Sequence, residues 1–556
     1  MAASPSGRTS VGRAADNDLV IAHPSISAHH AELHFDGEQF LLRDLSSSNG
    51  TFINGERITS TFLEEGDLIY LGPMLRQAAI PAATGVAHGG TTRHRPVVEW
   101  AGQSTNNPTG DPRGPTYGSE GWGFESLRAR QTPSQVRPSV DLANPLSFWS
   151  SHVMRHDEQV RVIKEMCAHL DGDTNVDAGG LRRNPTITYT DPVQANREWS
   201  EWFRGMPQLL GLSGDLPEAG SFLTNNDYGT PILATRDEDG GFRAFVNSCR
   251  HRGTILETDS HGTKRRFTCP FHAWSYDTAG TLVGMPKAAH FGHVERECLG
   301  LHELPAEERH GLLFVHPQPD GEIDLDWLLG EWFNDEFPTW QFDELRLLTS
   351  DEYDIRCNWK LAMDTFGETY HFNALHSNTL ALNFHGNVQT YDEDGHLHRM
   401  VLCKRAIDQV RLLPEEEWDV TVAGLPVYWL FPNVILMPFE IGVFLVRAIP
   451  APGEPGHHVS KVDFYIRPED AKLNVLGIEV ADFEALATQI ARSFGEIIRD
   501  EDYAMSASQQ RSADAGALDH IVFGRNEPAL HHYHNTYRSM LGQELLPLLD
   551  KITADG

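Results

Sequence analysis

The sequence predicts a multidomain chain. Its parts are a small all-β sandwich, a flexible linker, a small all-β domain carrying a metal centre on two loop tips, and an α+β domain built on a curved antiparallel sheet. Three observations predict it. Short alternating apolar and polar runs, broken by turns at Asp36-Gly37 and Asn54-Gly55, fill the stretch up to Leu75. Two Cys/His pairs, Cys249-x-His251 and Cys269-x-x-His272, stand seventeen residues apart among short strands. Apolar strands at 434–437, 442–449 and 458–466 lie between helical stretches bearing histidines and a carboxylate. At 556 residues the chain is too long for one core. The predicted divisions are 1–76, 77–145, 146–205 (a leading helical segment), 206–325 and 326–556.

Composition narrows the function. A hydrophobic content of 40% with 22% charged residues is that of a globular protein. The net charge of -33 argues against a nucleic-acid partner, whose phosphates need clustered Lys and Arg. There is no apolar run of membrane-spanning length, and MAASPSGRTS has no signal-peptide core, so a cytoplasmic protein is expected. Of six cysteines, two belong to the pairs; Cys167, Cys298, Cys357 and Cys403 have no framework spacing and read as reduced thiols.

In the first module, Gly12-Arg13, Asn17-Asp18, Ser27-x-x-His30, Ser48-Asn49-Gly50-Thr51 and Asn54-Gly55 together resemble a forkhead-associated (FHA) domain. The resemblance implies that Arg13 and Ser27 hold the phosphate of a phosphothreonine peptide, Ser48 and Asn49 its backbone, and that His30 braces the loops. A guanidinium with short hydroxyl and amide donors suits a dianionic phosphate. Ala28 departs from the pattern. Little chain precedes Gly12 for a first strand, and the stretch after Gly72 reads as a poor last strand. Residues 77–145, rich in Gly, Pro, Ser, Thr and Asn without apolar periodicity, read as flexible linker.

Ordered structure resumes near Phe148, with helical patterns at 160–170 and 192–203, strands at 221–224, 231–234 and 242–248, and a hairpin around Ala279-Gly280. Two thiolates and two imidazoles fit two chemistries: a two-iron cluster with the cysteines on one iron and the histidines on the other, or a tetrahedral structural zinc. With Arg252-Gly253, Pro270-Phe271 and Trp274 around them, the pairs resemble the Rieske centre of ring-hydroxylating oxygenase alpha subunits. That resemblance implies a Rieske 2Fe-2S cluster held by Cys249, His251, Cys269 and His272. Ala273 stands where a glycine is common.

A second site is predicted further on. In 358–376, Trp359, Met363, Phe366 and Tyr370 form one helical stripe and Asp364, Glu368, His371 and Leu375 another. His371 and His376 lie about 140° apart on an ideal helix, so both reach one metal only if the helix loosens or ends between them. In 481–506, steps of three and four through Phe483, Leu486, Ile490, Phe494 and Ile498 land on Asp502, while Asp500 and Glu501 turn away. Two histidines and a carboxylate form a facial triad for non-haem Fe(II). Asn383, Phe384 and Met437 read as core or pocket wall; His531, His532 and His534 read as a partly exposed helix.

Asn358-Trp359-Lys360, Glu368-x-x-His371-x4-His376, Glu501-Asp502 through Gln510 and Asn526-Glu527-Pro528 also resemble the oxygenase alpha subunits, over about 184–545. The resemblance implies a mononuclear Fe(II) on His371, His376 and Asp502, with Glu368 bridging it to a Rieske histidine of a neighbouring subunit in a homotrimer. It implies an oxygenase that takes NAD(P)H electrons through a separate reductase, with or without a ferredoxin. Oxygen from O2 would enter a small, by default aromatic, organic substrate. Two alternatives stand beside it: a phosphothreonine-binding regulatory protein with an idle oxygenase module, and an oxidative demethylase.

Overall fold

Alternating residues in the N-terminal stretch pair into two five-stranded sheets. The computed structural model describes residues 154–439, 441–467 and 480–552, together with segments between residues 8 and 104. It divides into two units, Met1–Pro133 with His376–Asn383, and Ser134–Leu375 with Phe384–Gly556. In the first unit one sheet runs Leu19–Val20, Arg8–Gly12, Ala31–Phe35, Phe40–Asp44, Ser60–Phe62. The other runs Glu99–Ser104, Met74–Ala79, Leu68–Leu71, Thr51–Ile53, Glu56–Ile58. Val11, Ala31, Leu33 and Leu42 are buried, as the alternation requires. Two features differ from the sequence reading. A strand does form before Arg13, and Met74–Ala79 pairs antiparallel with Glu99–Ser104, inside the tract read as linker. Short polar strands carry too little periodicity to register. The rest of 77–145 lies outside the described residues.

In the second unit the helix His156–Gly172 and the helical segment beginning at Pro192 precede the metal-bearing part. That part is built of short antiparallel strands, among them Ser221–Asn225, Ile232–Arg236 and Phe242–Val246 in one sheet. A separate meander comprises Phe267–Thr268, Ser275–Tyr276 and Leu282–Gly284. Phe222, Leu233, Phe245, Phe267, Tyr276 and Leu282 form one core with Cys249 and Cys269.

Seven antiparallel strands make the larger sheet: Arg346–Ile355, His458–Ile466, Gly442–Pro450, Val434–Phe439, Gly424–Leu430, Leu397–Lys404 and Phe384–Asp394. The middle strands are buried throughout, as expected of a sheet covered on both faces. Arg447 on this sheet donates to Asp463 and to the Leu210 carbonyl, and Tyr465 Oη–H to Asp215 Oδ2 at 2.8 Å, tying the metal-bearing part to the sheet.

His458, which opens the strand His458–Ile466 opposite Pro450, is fully buried; its Nδ1–H donates to the Cys357 carbonyl at 2.9 Å and its Nε2 has no partner. Burial pushes its pKa down to about 4. The unfolded residue, near 6.5, binds a proton over a range where the folded one does not. Its stabilising contribution is therefore whole above about pH 6.5 and lost as pH falls towards 4. In His458→Gln, chemical denaturation at several pH values should show a dependence shallower by up to about 1.4 kcal/mol per pH unit over that range.

Candidate metal centres

The two Cys/His loops are copies of one turn. Cys249 N–H donates to Thr254 O at 2.8 Å and Gly253 N–H to Cys249 O at 2.8 Å; Cys269 N–H donates to Trp274 O at 2.7 Å and Ala273 N–H to Cys269 O at 3.0 Å. Each closes through a left-handed residue at the fifth position, Gly253 at φ 77° and Ala273 at φ 58°. Ala273 thus occupies a conformation that favours glycine, at a cost of about 1 kcal/mol.

Both cysteines are buried and both histidines are half-buried, with imidazole centroids 4.6 Å apart. Nδ1 of His251 and Nδ1 of His272 are buried without any partner, as expected of atoms aimed at a metal. Burial opposes ionisation of the Cys269 thiol. Backbone N–H groups of His272 and Phe271 together with Cys249 and Thr254 outweigh it and lower its pKa, which suits a thiolate ligand. Among the described residues, a second set has donor atoms that all lie within 4.8 Å of one another, close enough to share one ion.

That set is His371, His376 and Asp502. The Asn358-Trp359-Lys360 sequence prepares it. Asn358 caps the helix Trp359–Asp364 through Lys360 N–H at 2.9 Å, and its own N–H donates to Gln510 Oε1 at 2.9 Å. Ser506 Oγ–H donates to Leu361 O at 3.1 Å. Gln510 and Ser506 share the helix Tyr503–Asp514 that follows Asp502, so the two ligand-bearing elements are clamped together. The helix ends at Asp364, earlier than the stripe predicts; Tyr370 is 66% exposed and the chain continues as turns. This is the loosening that lets His371 and His376 converge.

Asp502 closes a π-helical turn, Ile498–Asp502, after the helix Val480–Ile497. Steps of four drift by about 40° each on an ideal helix. Leu486 is accordingly exposed, and the wider turn returns Asp502 to the buried side while Asp500 stays exposed. His371 Nδ1–H donates to Glu368 Oε1 at 2.5 Å, and its Nε2 lies 3.4 Å from Asp502 Oδ1. Burial alone would lower the His371 pKa, but Asp502 and Glu368 push it up to about 10, the mark of a site built to hold positive charge. One carboxylate orients the imidazole and the other shares its metal-facing side, which fits a divalent cation.

Other predicted residues fall less simply. Arg13 is exposed, and its N–H donates to Ser27 O at 2.9 Å; Ser27 N–H donates to His30 Nδ1 at 3.1 Å, with His30 fully buried. Ser48 and Asn49 lie outside the described residues. His531 and His534 are buried rather than partly exposed. His534 Nε2–H donates to Asp364 Oδ1 at 2.9 Å, and Tyr189 Oη–H to Asp364 Oδ2 at 2.8 Å. Apolar periodicity could not show that these polar side chains satisfy one another in the core. Glu527 has its pKa pushed up to about 7, by burial first and then by the charges of Glu368 and Asp364.

Fold and geometry thus bring together two candidate metal sites, one of two cysteines and two histidines and a separate one of two histidines and a carboxylate. Family models match accordingly: "FHA domain" at 9–72, "Rieske [2Fe-2S] domain" at 206–301 and "Ring hydroxylating alpha subunit (catalytic domain)" at 342–543. The alpha subunit of biphenyl 2,3-dioxygenase from Rhodococcus jostii is 32% identical over 35% of this chain and 43% of that protein. The large subunit of anthranilate 1,2-dioxygenase from Burkholderia cepacia is 30% identical over 35% and 48%. The oxygenase subunit of glycine betaine monooxygenase from Chromohalobacter salexigens is 30% identical over 35% and 43%. The chain therefore spans less than half the length of these curated relatives. A solved quaternary ammonium Rieske monooxygenase shares the fold, with a TM-score of 0.55 and 18% identity over 66% of this chain and 97% of that one. Residues 206–301 and 342–543 thus match the Rieske domain and the catalytic domain of ring-hydroxylating alpha subunits, with an FHA domain at 9–72 on their N-terminal side. These domains imply a 2Fe-2S cluster and a mononuclear iron. Among the described residues no helix is long and apolar enough to cross a membrane.

Proposed function

We propose that the protein is the catalytic subunit of an oxygenase that inserts O2-derived oxygen into a small aromatic substrate, drawing NAD(P)H electrons through a separate reductase. The observation that carries the reading is the convergence of His371, His376 and Asp502 beside a carboxylate that orients one of them. When bound, the cluster supplies single electrons and the mononuclear iron supplies the site of O2 activation. The chain's own residues do the rest. Glu368 fixes the His371 tautomer so that Nε2 faces Asp502, and its second oxygen accepts the His371 backbone N–H at 3.1 Å. Phe271, 57% exposed beside His272, and Tyr370 beside His371 put apolar surface next to each metal site, as suits faces that meet between copies of a homotrimer. All six cysteines are free, in keeping with a cytoplasmic location.

The relative named as a glycine betaine monooxygenase oxygenase subunit favours a competing reading, an oxidative demethylase, because the fold does not choose between that and ring oxygenation. The FHA module, with Arg13 exposed beside Ser27, would tether the oxygenase to a phosphothreonine protein rather than act in turnover.

The test is an EPR spectrum of dithionite-reduced protein with iron and acid-labile sulfide measured on the same sample. A Rieske signal with about three irons and two sulfides per chain is expected; zinc without a cluster signal rejects the reading. Glu368→Ala should keep the Rieske signal and cut substrate-dependent O2 uptake by about 10–100-fold.

A further inference from the structure

No helix holds the turn that carries Glu368. The preceding helix ends at Asp364, and the next residues run as turns. Two residues on the strand Phe384–Asp394, the buried Gln389 and the half-buried Asn387, hold it instead. Thr369, between Glu368 and Tyr370, is 1% exposed and donates Oγ1–H to Oε1 of the fully buried Gln389 at 2.8 Å. Its carbonyl accepts Asn387 N–H at 3.0 Å.

The strand is deformed where this happens. Its register against Leu397–Lys404 shifts between Phe384 and Gln389, and within that irregularity Asn387 sits at φ 61°. Asparagine tolerates this left-handed conformation better than most residues. Asn387 Oδ1 accepts Asn175 Nδ2–H at 3.1 Å and Asn526 Nδ2–H at 2.8 Å, and Asn175 Oδ1 accepts Gln389 N–H at 3.1 Å. The turn is pressed close as well: a Cβ on Gly367 would lie 2.5 Å from Leu530 Cδ2 and 2.8 Å from Tyr533 Cε2. Bulges beside functional sites re-aim what they touch. Here the bulge reaches the residue next to the carboxylate that orients a ligand.

We propose that Gln389 and Asn387 are positioning residues: by fixing Thr369 they hold Glu368 on Nδ1 of His371, and so set the affinity of the His371, His376 and Asp502 site for a divalent cation. This rests on reading that triad as the mononuclear metal site. A buried amide must find partners, and the one Gln389 takes up is the hydroxyl of the residue next to Glu368, so the bond fixes the turn at that point.

The experiment uses full-length protein that keeps its cluster but is depleted of mononuclear metal. It is titrated anaerobically with cobalt(II), read by visible absorbance, with the reduced-cluster EPR signal and the unfolding midpoint recorded on the same samples. Thr369→Val and Gln389→Leu should weaken cobalt binding about 10–100-fold, the range found when partners of metal ligands are removed. Thr369→Ser, which keeps the hydroxyl, should bind as the parent does. Asn387→Gly keeps the backbone conformation, loses Oδ1 and should also bind more weakly. If the valine or leucine variant does not fold, Gln389→Met keeps the length of the side chain, loses the oxygen that accepts from Thr369 and carries the same expectation of weaker binding. Unchanged cobalt affinity in the folded variants, with only a lower unfolding midpoint, overturns the proposal. A parent that binds no cobalt, or Asp502→Ala binding as tightly as the parent, rejects the metal-site reading itself.

Discussion

Asp502→Ala is expected to empty the mononuclear site and abolish oxygenation while leaving the reduced-cluster EPR signal unchanged. Loss of outer partners of metal ligands typically weakens binding 10–100-fold, so loss of a ligand should cost at least about 100-fold. Asp502 is buried, its neighbours Ile498 and Tyr503 are core, and Asp500 is exposed two residues away. Asp500→Ala is therefore the control, with metal content and turnover expected to match the parent. The two metal sites are held by separate elements: Cys249 and Cys269 by turns closed within their own loops, Asp502 by the π-helical turn. Metal analysis and EPR on one preparation separate the outcomes. Disappearance of the cluster signal in Asp502→Ala would show that the residue supports the other site, and an unchanged iron content would show that it is no ligand.

What could be read from the sequence was local. The cluster ligands sit in two turns whose chemistry is coded within six residues each, and Glu368 to His371 is a similar short-range unit. The seven-stranded sheet was legible because Val434–Phe439 is an apolar run, Gly442–Pro450 is one broken only by Arg447, and His458–Ile466 ends in apolar residues. What failed were inferences that extended a period too far. The stripe through Tyr370 assumed a helix that stops at Asp364, and the stripe through Leu486 ignored the drift that the π-helical turn corrects. Gln389, Asn387 and Asn175 were invisible for a different reason. A hydrogen-bonding amide has no periodic signature, and the partners here lie between 18 and more than 200 residues apart in the chain. His531 and His534 looked like surface residues because polarity alone does not say that Arg182, Asp364 and Asn184 await them inside. The hairpin of Met74–Ala79 and Glu99–Ser104 was hidden in a composition typical of linkers.

Lys360→Met should destabilise the fold by about 3–5 kcal/mol, because it strands a carboxylate in the core. Lys360 and Glu198 are each 1% exposed, with Nζ 2.6 and 2.7 Å from the two carboxylate oxygens. Trp359 Nε1–H and Gln194 Nε2–H donate to the same carboxylate at 3.2 and 2.8 Å, but neither brings a charge. Replacing both partners, as in Glu198→Leu with Lys360→Met, removes the stranded charge and should recover most of the loss, leaving a double variant within about 1 kcal/mol of the parent or more stable. Chemical denaturation of the four proteins gives the coupling directly. The pair also bears on the metal site, because it joins the segment Pro192–Glu198 to the helix Trp359–Asp364 that leads into the Glu368 turn. The single variant should therefore hold its mononuclear iron more weakly and the double variant should regain it. If iron content stays at the parental level while stability falls, the ion pair fixes the fold without setting the site.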